Sequence, residues 1–378
     1  MSVLRPDEQV IGNHLKNNVI DMQKYAQETE MVFVAEFVSK MIQTMHEYNH
    51  VVLRFREVRC GETNGFYKLL DELCNYWQWS SDQITIETTS WTHYHPKYKI
   101  THIAWNLQAL LIDHIIDNIV PKPWNQQKLY GMFIGRANAT RLRGLINHFK
   151  FPYKSRSLSS FHQDMSYYVD EKSLLEFLAH TNITYQEVIN IAPYSDIDDL
   201  FVPPITNEKI FVSWESVYEQ IPIELIFETN PYEESFGVSE KVLRPMLYKR
   251  PFLTVAGKNY NKNMANFFAD APLHNPTNDP ELKDYLEYFK YKSKPFTCFD
   301  KHIQDFIGVD YDLGQGVYRV DHVFDILKRL IESGKINTLL NDWQEDIENN
   351  YQAVIEGLHL YAKITEKQKE LFDYRDWS

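Results

Sequence analysis

Ser239-Glu240-Lys241-Val242-Leu243-Arg244-Pro245 lies between two apolar runs, Ile223-Glu224-Leu225-Ile226-Phe227 and Pro251-Phe252-Leu253-Thr254-Val255-Ala256-Gly257. The first run closes on Glu228-Thr229. The pattern reads as strand, loop, helix start, strand. Ser239 is suited to cap the helix, because its hydroxyl accepts from a free N–H one turn in. Glu240 and Lys241 then fall in the first turn, where unpaired N–H groups and the positive end of the dipole attract an anion. Lys241 and Arg244, three residues apart, share a helix face. A carboxylate beside two cations at a helix start has the chemistry of a nucleotide diphosphate cradle. It also has the chemistry of a capped surface helix, and this segment alone leaves both readings open.

The same alternation recurs on either side. Upstream, Val51-Val52-Leu53-Arg54-Phe55 and Ile84 to Thr89 read as strands around an amphipathic helix from Phe66 to Trp77. Apolar residues from Val19 to Met45 recur at helical spacing, which predicts one long helix over 13–48. Ile103 to Val120 reads as a helix stopped by Pro121-Lys122-Pro123, and a domain boundary is placed there. Leu129 to Ile134 reads as a strand. It is followed by the turn Gly135 to Arg141 and a helix over about 142–149, with further helices over 171–191. Helices over 317–333 and 336–373 close the chain. The expected fold class is α/β, with two Rossmann-like domains and helical N- and C-terminal extensions. The expected division is 1–125, 126–330 and 331–378.

Composition narrows the function classes. The net charge of −13 disfavours a non-specific duplex binder, which needs clustered Lys and Arg, although a local basic groove would escape this argument. Cys60, Cys74 and Cys298 are far apart and form no CxxC, so neither a disulfide framework nor a zinc site is indicated. The first residues lack an apolar signal core, and the greasy stretch from Ala109 to Val120 is broken by Asp113, His114, Asp117 and Asn118. The expectation is a cytoplasmic protein without a membrane span, in the host cytoplasm if the source is viral.

The ordered segments resemble the donor-binding half of GT-B-fold glycosyltransferases, and within them the Glu-Lys element of α1,3-fucosyltransferase-like enzymes. The residues that carry the likeness are Phe227-Glu228-Thr229, Ser239-Glu240-Lys241, Arg244-Pro245 and Pro251-Phe252. Phe133-Ile134-Gly135-Arg136 to Arg141 is similar to that group's strand and Arg-rich turn. Phe306 to Asp312 with Arg319 is similar to its closing segment. Glycosyltransferase-like proteins of bacterial and algal viruses look alike in the same way. The likeness covers about 130–330. Ser239 stands where the family has Thr, residues 269–296 look like an insertion, and the N-terminal half matches no quoted motif.

The resemblance implies a GT-B-like arrangement and a transfer of a sugar from a nucleotide-sugar donor to a hydroxyl acceptor. It implies that Glu240 holds ribose or sugar hydroxyls and Lys241 the phosphates, with Ser239, Arg244 and Glu228 beside them. Arg136 and Arg141 offer guanidinium forks for bidentate phosphate contact. An inverting enzyme also needs a base. Glu57, Glu62, Glu87, His93 and His95 lie near expected strand ends, with Glu62 and His95 foremost. No metal or other cofactor is expected. His93, His95 and His102 lack a supporting carboxylate pattern, and Asp196-Ile197-Asp198 follows a proline loop rather than a strand. Two alternatives stay open: an enzyme acting on a hydroxylated DNA base, and a non-catalytic virion or interaction protein on the same scaffold.

Overall fold

The computed structural model describes residues 18–22, 31–55, 64–88, 95–102, 119–135, 138–162, 184–197, 214–228, 240–264, 300–308 and 316–355. Strands buried on both faces read as unbroken apolar runs, and such runs mark two sheets. The first contains β1 (Val19–Asp21), β2 (Val51–Phe55), β3 (Ile84–Thr88) and β4 (Lys99–His102), all parallel and neighbours in that order. Helices α1 (Met31–Tyr48) and α2 (Asn64–Trp77) provide crossovers. Phe37, Met41 and Met45 of α1 and Leu70 and Leu73 of α2 bury against Leu53 and Ile86. Asn49, at φ 53°, ends α1 in the left-handed conformation that Asn tolerates.

The long helix expected over 13–48 is not formed as such. Residues 19–21 are a strand, and helix begins at Met31. The helical spacing of apolar residues is outweighed by tertiary pairing. Val52 N–H donates to the Asn18 carbonyl at 3.0 Å, Met22 N–H donates to Arg54 at 2.8 Å, and Ile20 and Met22 are buried. Strand β4 was also not anticipated.

The second sheet is mixed. Its strands are β5 (Tyr130–Ile134), β6 (Ser157–Phe161), β7 (Tyr194–Ser195), β8 (Glu224–Phe227) and β9 (Phe252–Val255), in the spatial order β7-β6-β5-β8-β9. All pairs are parallel except the short antiparallel β6–β7 edge. From β5 the chain passes through α3 (Ala139–Lys150) to β6 on one side. It later returns through α4 (Tyr185–Ile189) and α5 (Glu215–Gln220) to β8 on the other, and α6 (Glu240–Leu247) leads to β9. The strand order therefore reverses between β5 and β8. In open α/β sheets such a reversal opens a crevice at the carboxyl ends of the two strands.

Side chains fix which helix covers which face. Glu224 reaches Arg244 of α6, whereas a Cβ on Gly144 of α3 would run into the ring of Phe227. Residues 224 and 227 have opposite parity along one strand, so α3 and α6 lie on opposite faces. Helices α7 (Asp300–Ile307) and α8 (Gly316–Glu332) follow. Helix α8 joins α3, because Asp321 accepts from Arg143 and Asn147 at 2.8 Å and Phe324 packs on Phe151. Arg319, fully buried, donates to the Thr254 and Gly257 carbonyls and covers the outer edge of β9. After the left-handed turn at Gly334, residues 335–355 add Ile336, Leu339, Trp343, Ile347 and Val354 to this second apolar core. The Pro121 segment is held to the same unit, with Arg250 donating to the Lys122 carbonyl at 2.6 Å and Trp124 to that of Gln220 at 3.0 Å. Among the described residues no helix is long and apolar enough to cross a membrane.

Candidate ligand-binding site

The switch-point rule places a crevice where the β5–β8 ladder ends, past Met132 and Leu225, beside the first turn of α3. Asn138 caps that turn, its side-chain oxygen accepting from the Arg141 N–H at 3.0 Å and from the Thr140 hydroxyl at 2.8 Å. Arg141 is buried, and its Nη2 donates to the Phe227 carbonyl at 3.0 Å, tying the first turn of α3 to the last residue of β8. The next residue, Glu228, is paired to β9 through its N–H to the Val255 carbonyl at 2.9 Å. Its Oε1 accepts from the Tyr260 hydroxyl at 3.1 Å, and its Oε2 lies 3.9 Å from the Lys241 ammonium. Side-chain exposure is 24% for Lys241 and 9% for Glu228, so the cation is the more accessible member of the pair.

Of the residues singled out in the sequence, Arg141, Glu228 and Lys241 gather at the carboxyl end of the second sheet. Glu240 opens α6, but its side chain lies outside the described residues, as do Arg136, Ser239 and Glu62. Arg244 does not face the crevice. Its Nη2 donates to Glu224 at 2.6 Å and its Nε to the Tyr218 hydroxyl at 2.9 Å, and the guanidinium stacks 3.7 Å from the Trp214 ring. Tyr218 in turn donates to Glu224. Burial pushes the Glu224 carboxyl up while Arg244 pulls it down. Burial also works against the charge on Arg244, but Glu224 and Tyr218 outweigh it and hold the arginine charged. The sequence signal at Arg244 was its helical spacing from Lys241. What removed it from the site is a carboxylate buried in β8.

His95 belongs to the first sheet's surroundings. Its ring stacks on Tyr67 at 3.9 Å, its Nδ1 accepts from the Lys97 N–H at 3.2 Å, and burial lowers its pKa, with Asp71 raising it and Lys97 lowering it further. Glu87 forms a buried ion pair with Arg54 across β2 and β3 at 2.6 Å, so it holds a neighbouring strand rather than an open position. Glu57 and His93 lie outside the described residues. Asp196 is taken up by β6, accepting from the Ser159 N–H and hydroxyl at 3.1 and 2.9 Å, and Asp198 lies outside the described residues.

Two side chains near the crevice escaped the sequence reading. Tyr260, buried, orients Glu228. His162 follows β6, donates its N–H to the Ile134 carbonyl at 3.2 Å, and is half-buried, which lowers its pKa. Neither stands in a motif: His162 is placed by the register of β6 with β5, and Tyr260 by the turn that follows β9. The chain matches no family model, no curated protein and no solved structure.

Proposed function

We propose that the chain is a glycosyltransferase that binds a nucleotide-activated sugar at the switch-point crevice of the second sheet and transfers the sugar to a hydroxyl acceptor. The observation that supports this best is the Glu228–Lys241 pair, set at the carboxyl end of β8 with the cation outermost. A compact ammonium suits a diphosphate, and a carboxylate accepts paired hydroxyl hydrogens from ribose or sugar. In the transfer, the bond from the anomeric carbon to the diphosphate oxygen breaks and a bond to the acceptor oxygen forms. The acceptor proton passes to a base, and Lys241 stabilises the charge that develops on the leaving diphosphate. Glu62 and His95 are the proposed bases, which requires a GT-B-like arrangement that faces the first sheet's strand ends to the crevice.

The test is transfer or hydrolysis of a panel of nucleotide sugars, with binding followed by calorimetry. Lys241→Ala is expected to weaken nucleotide binding, and Glu228→Gln to weaken sugar-dependent binding, each at least tenfold, about 1.4 kcal/mol. Unchanged binding in both variants would refute the site.

A further inference from the structure

Helix α2 ends in an aromatic cluster that the packing of the first sheet does not use up. Tyr76 is 79% exposed and Trp77 44%, and among the described residues these are the exposed large apolar side chains that touch each other. Their rings meet edge to face at 5.4 Å. Trp77 lies nearly parallel to Trp79, with planes 16° apart and centroids 6.0 Å apart. A single exposed apolar side chain needs no explanation, but a cluster of aromatic faces does.

The backbone fixes the cluster. Gln78 is left-handed at φ 60°, and the Trp79 N–H closes back on the Cys74 carbonyl at 3.0 Å, a Schellman ending with Gln where Gly is usual. The Gln78 side-chain amide donates to the Asn75 carbonyl at 2.7 Å. Trp79, partly buried, packs on the apolar core of the first sheet. Ser80 and Gln83 then form a capping box, and Gln83 donates to the Asn49 side chain at 2.6 Å, just before β2 begins. The rings therefore stand at the amino end of β3. The Tyr76 hydroxyl and the Trp77 and Trp79 indole N–H groups make no hydrogen bond within the described residues, and that of Trp79 is not among the buried atoms.

Size and charge select the occupant. Tyr76 and Trp77 together expose roughly 250 Å² of mostly aromatic surface, taking about 150–250 Å² for a whole ring side chain. A folded protein partner needs about 800 Å² from each side, and here exposed Glu72, Asn75, Gln78, Ser80 and Asp82 flank the rings in sequence. Residues 71–83 carry Asp71, Glu72 and Asp82 and no Lys or Arg, and the Lys97 ammonium that touches the stretch is held by Asp71 at 2.5 Å. Single-stranded nucleic acid stacks on aromatic rings beside a positive groove that tracks its phosphates. Anionic membrane surfaces likewise attract Lys and Arg. An acidic margin repels both. A neutral sugar ring fits, because its C–H face meets the negative face of an aromatic ring and its hydroxyls meet amides, carboxylates and indole N–H groups.

We propose that the Tyr76, Trp77 and Trp79 cluster binds a neutral glycan by stacking its sugar rings. This surface belongs to the first sheet's unit and does not depend on the glycosyltransferase reading of the second.

The experiment titrates the full chain by calorimetry with maltohexaose, cellohexaose and chitohexaose. An oligothymidylate and vesicles of phosphatidylcholine with phosphatidylserine serve as competing occupants. Trp77→Ala and Tyr76→Ala remove exposed groups, so both are expected to melt within about 2 °C of the parent. The parent is expected to bind at least one hexasaccharide saturably, about tenfold or more weakly as Trp77→Ala and about threefold or more weakly as Tyr76→Ala. Tyr318→Ala, which removes a similarly exposed ring from α8, is expected to leave that binding unchanged. Tyr76→Ala carries the test should Trp77→Ala not fold. A parent that binds no hexasaccharide overturns the proposal, as does binding indifferent to both substitutions. Trp77-dependent binding of the oligothymidylate or the vesicles in place of the hexasaccharides, or Trp77-dependent self-association in their place, overturns it in favour of that occupant.

Discussion

Arg244 and Glu224 form an ion pair of 2.6 Å inside the second sheet's core, with the two side chains 9% and 2% exposed. The pair connects α6 to β8, so the helix whose start carries Lys241 is held to the strand whose end carries Glu228. The cation proposed to meet a ligand and a structural cation therefore stand three residues apart on one short helix. Breaking a buried pair leaves one charge without its partner and costs about 3–5 kcal/mol. Arg244→Ala is expected to lose that much in urea denaturation. Replacing the group with apolar side chains, as Arg244→Met with Glu224→Leu and Tyr218→Phe, is expected to recover most of it. An Arg244→Ala chain as stable as the parent would contradict the assignment.

Helix α3 approaches β8 closely because Gly144 has no side chain where it crosses Phe227. Gly144→Ala drives a methyl into the ring, and overpacking of this kind costs about 1–3 kcal/mol. Phe227→Leu in the same chain is expected to relieve part of the loss. Chemical denaturation of the two variants measures both effects, and a neutral Gly144→Ala would show that α3 does not sit this close.

His148 lies in a buried polar chain. Its Nδ1 meets the Tyr130 hydroxyl at 2.9 Å and its Nε2 the Ser159 hydroxyl at 3.1 Å. Ser159 has its own hydrogen committed to Asp196, so it accepts from Nε2–H, and Nδ1 accepts from Tyr130. Burial first, and Lys154 second, hold His148 down to about 4 against an ordinary 6.5. Between those values the unfolded chain takes up a proton that the folded chain refuses, so stability falls as pH drops through that window and is level above it. The full gap corresponds to about 3 kcal/mol. Stability measured at pH 7 and pH 4.5 is expected to fall about 2–3 kcal/mol further in the parent than in His148→Gln. Parallel losses in the two chains would mean that His148 titrates normally.

Much of the second sheet was legible in the sequence. β5, β8 and β9 are short, continuous apolar runs bounded by turn residues, as strands buried on both faces require. β6 was not, because Ser157-Leu158-Ser159-Ser160-Phe161 is polar by composition, and its Ser159 is buried only because His148 and Asp196 satisfy it. β1 was hidden inside a stretch with helical periodicity, and three residues are too few to assert a period of two. Within the site, Glu228 and Lys241 stood in a readable strand-loop-helix pattern. Arg244 looked equivalent until its partner, Glu224, was found 20 residues away beneath it. His162 had no signal, since its place on the lip depends on the register between β5 and β6.

The most direct test of the proposed nucleotide binding is a calorimetric titration of the full chain with UDP, GDP and ADP, run in parallel on Lys241→Ala and on Lys249→Ala. Lys249 is paired with Glu348 and serves as a control for charge removal alone. The account predicts saturable binding of at least one nucleotide by the parent, weakened at least tenfold, about 1.4 kcal/mol, by Lys241→Ala and unaffected by Lys249→Ala. No binding, or binding indifferent to Lys241, would contradict it.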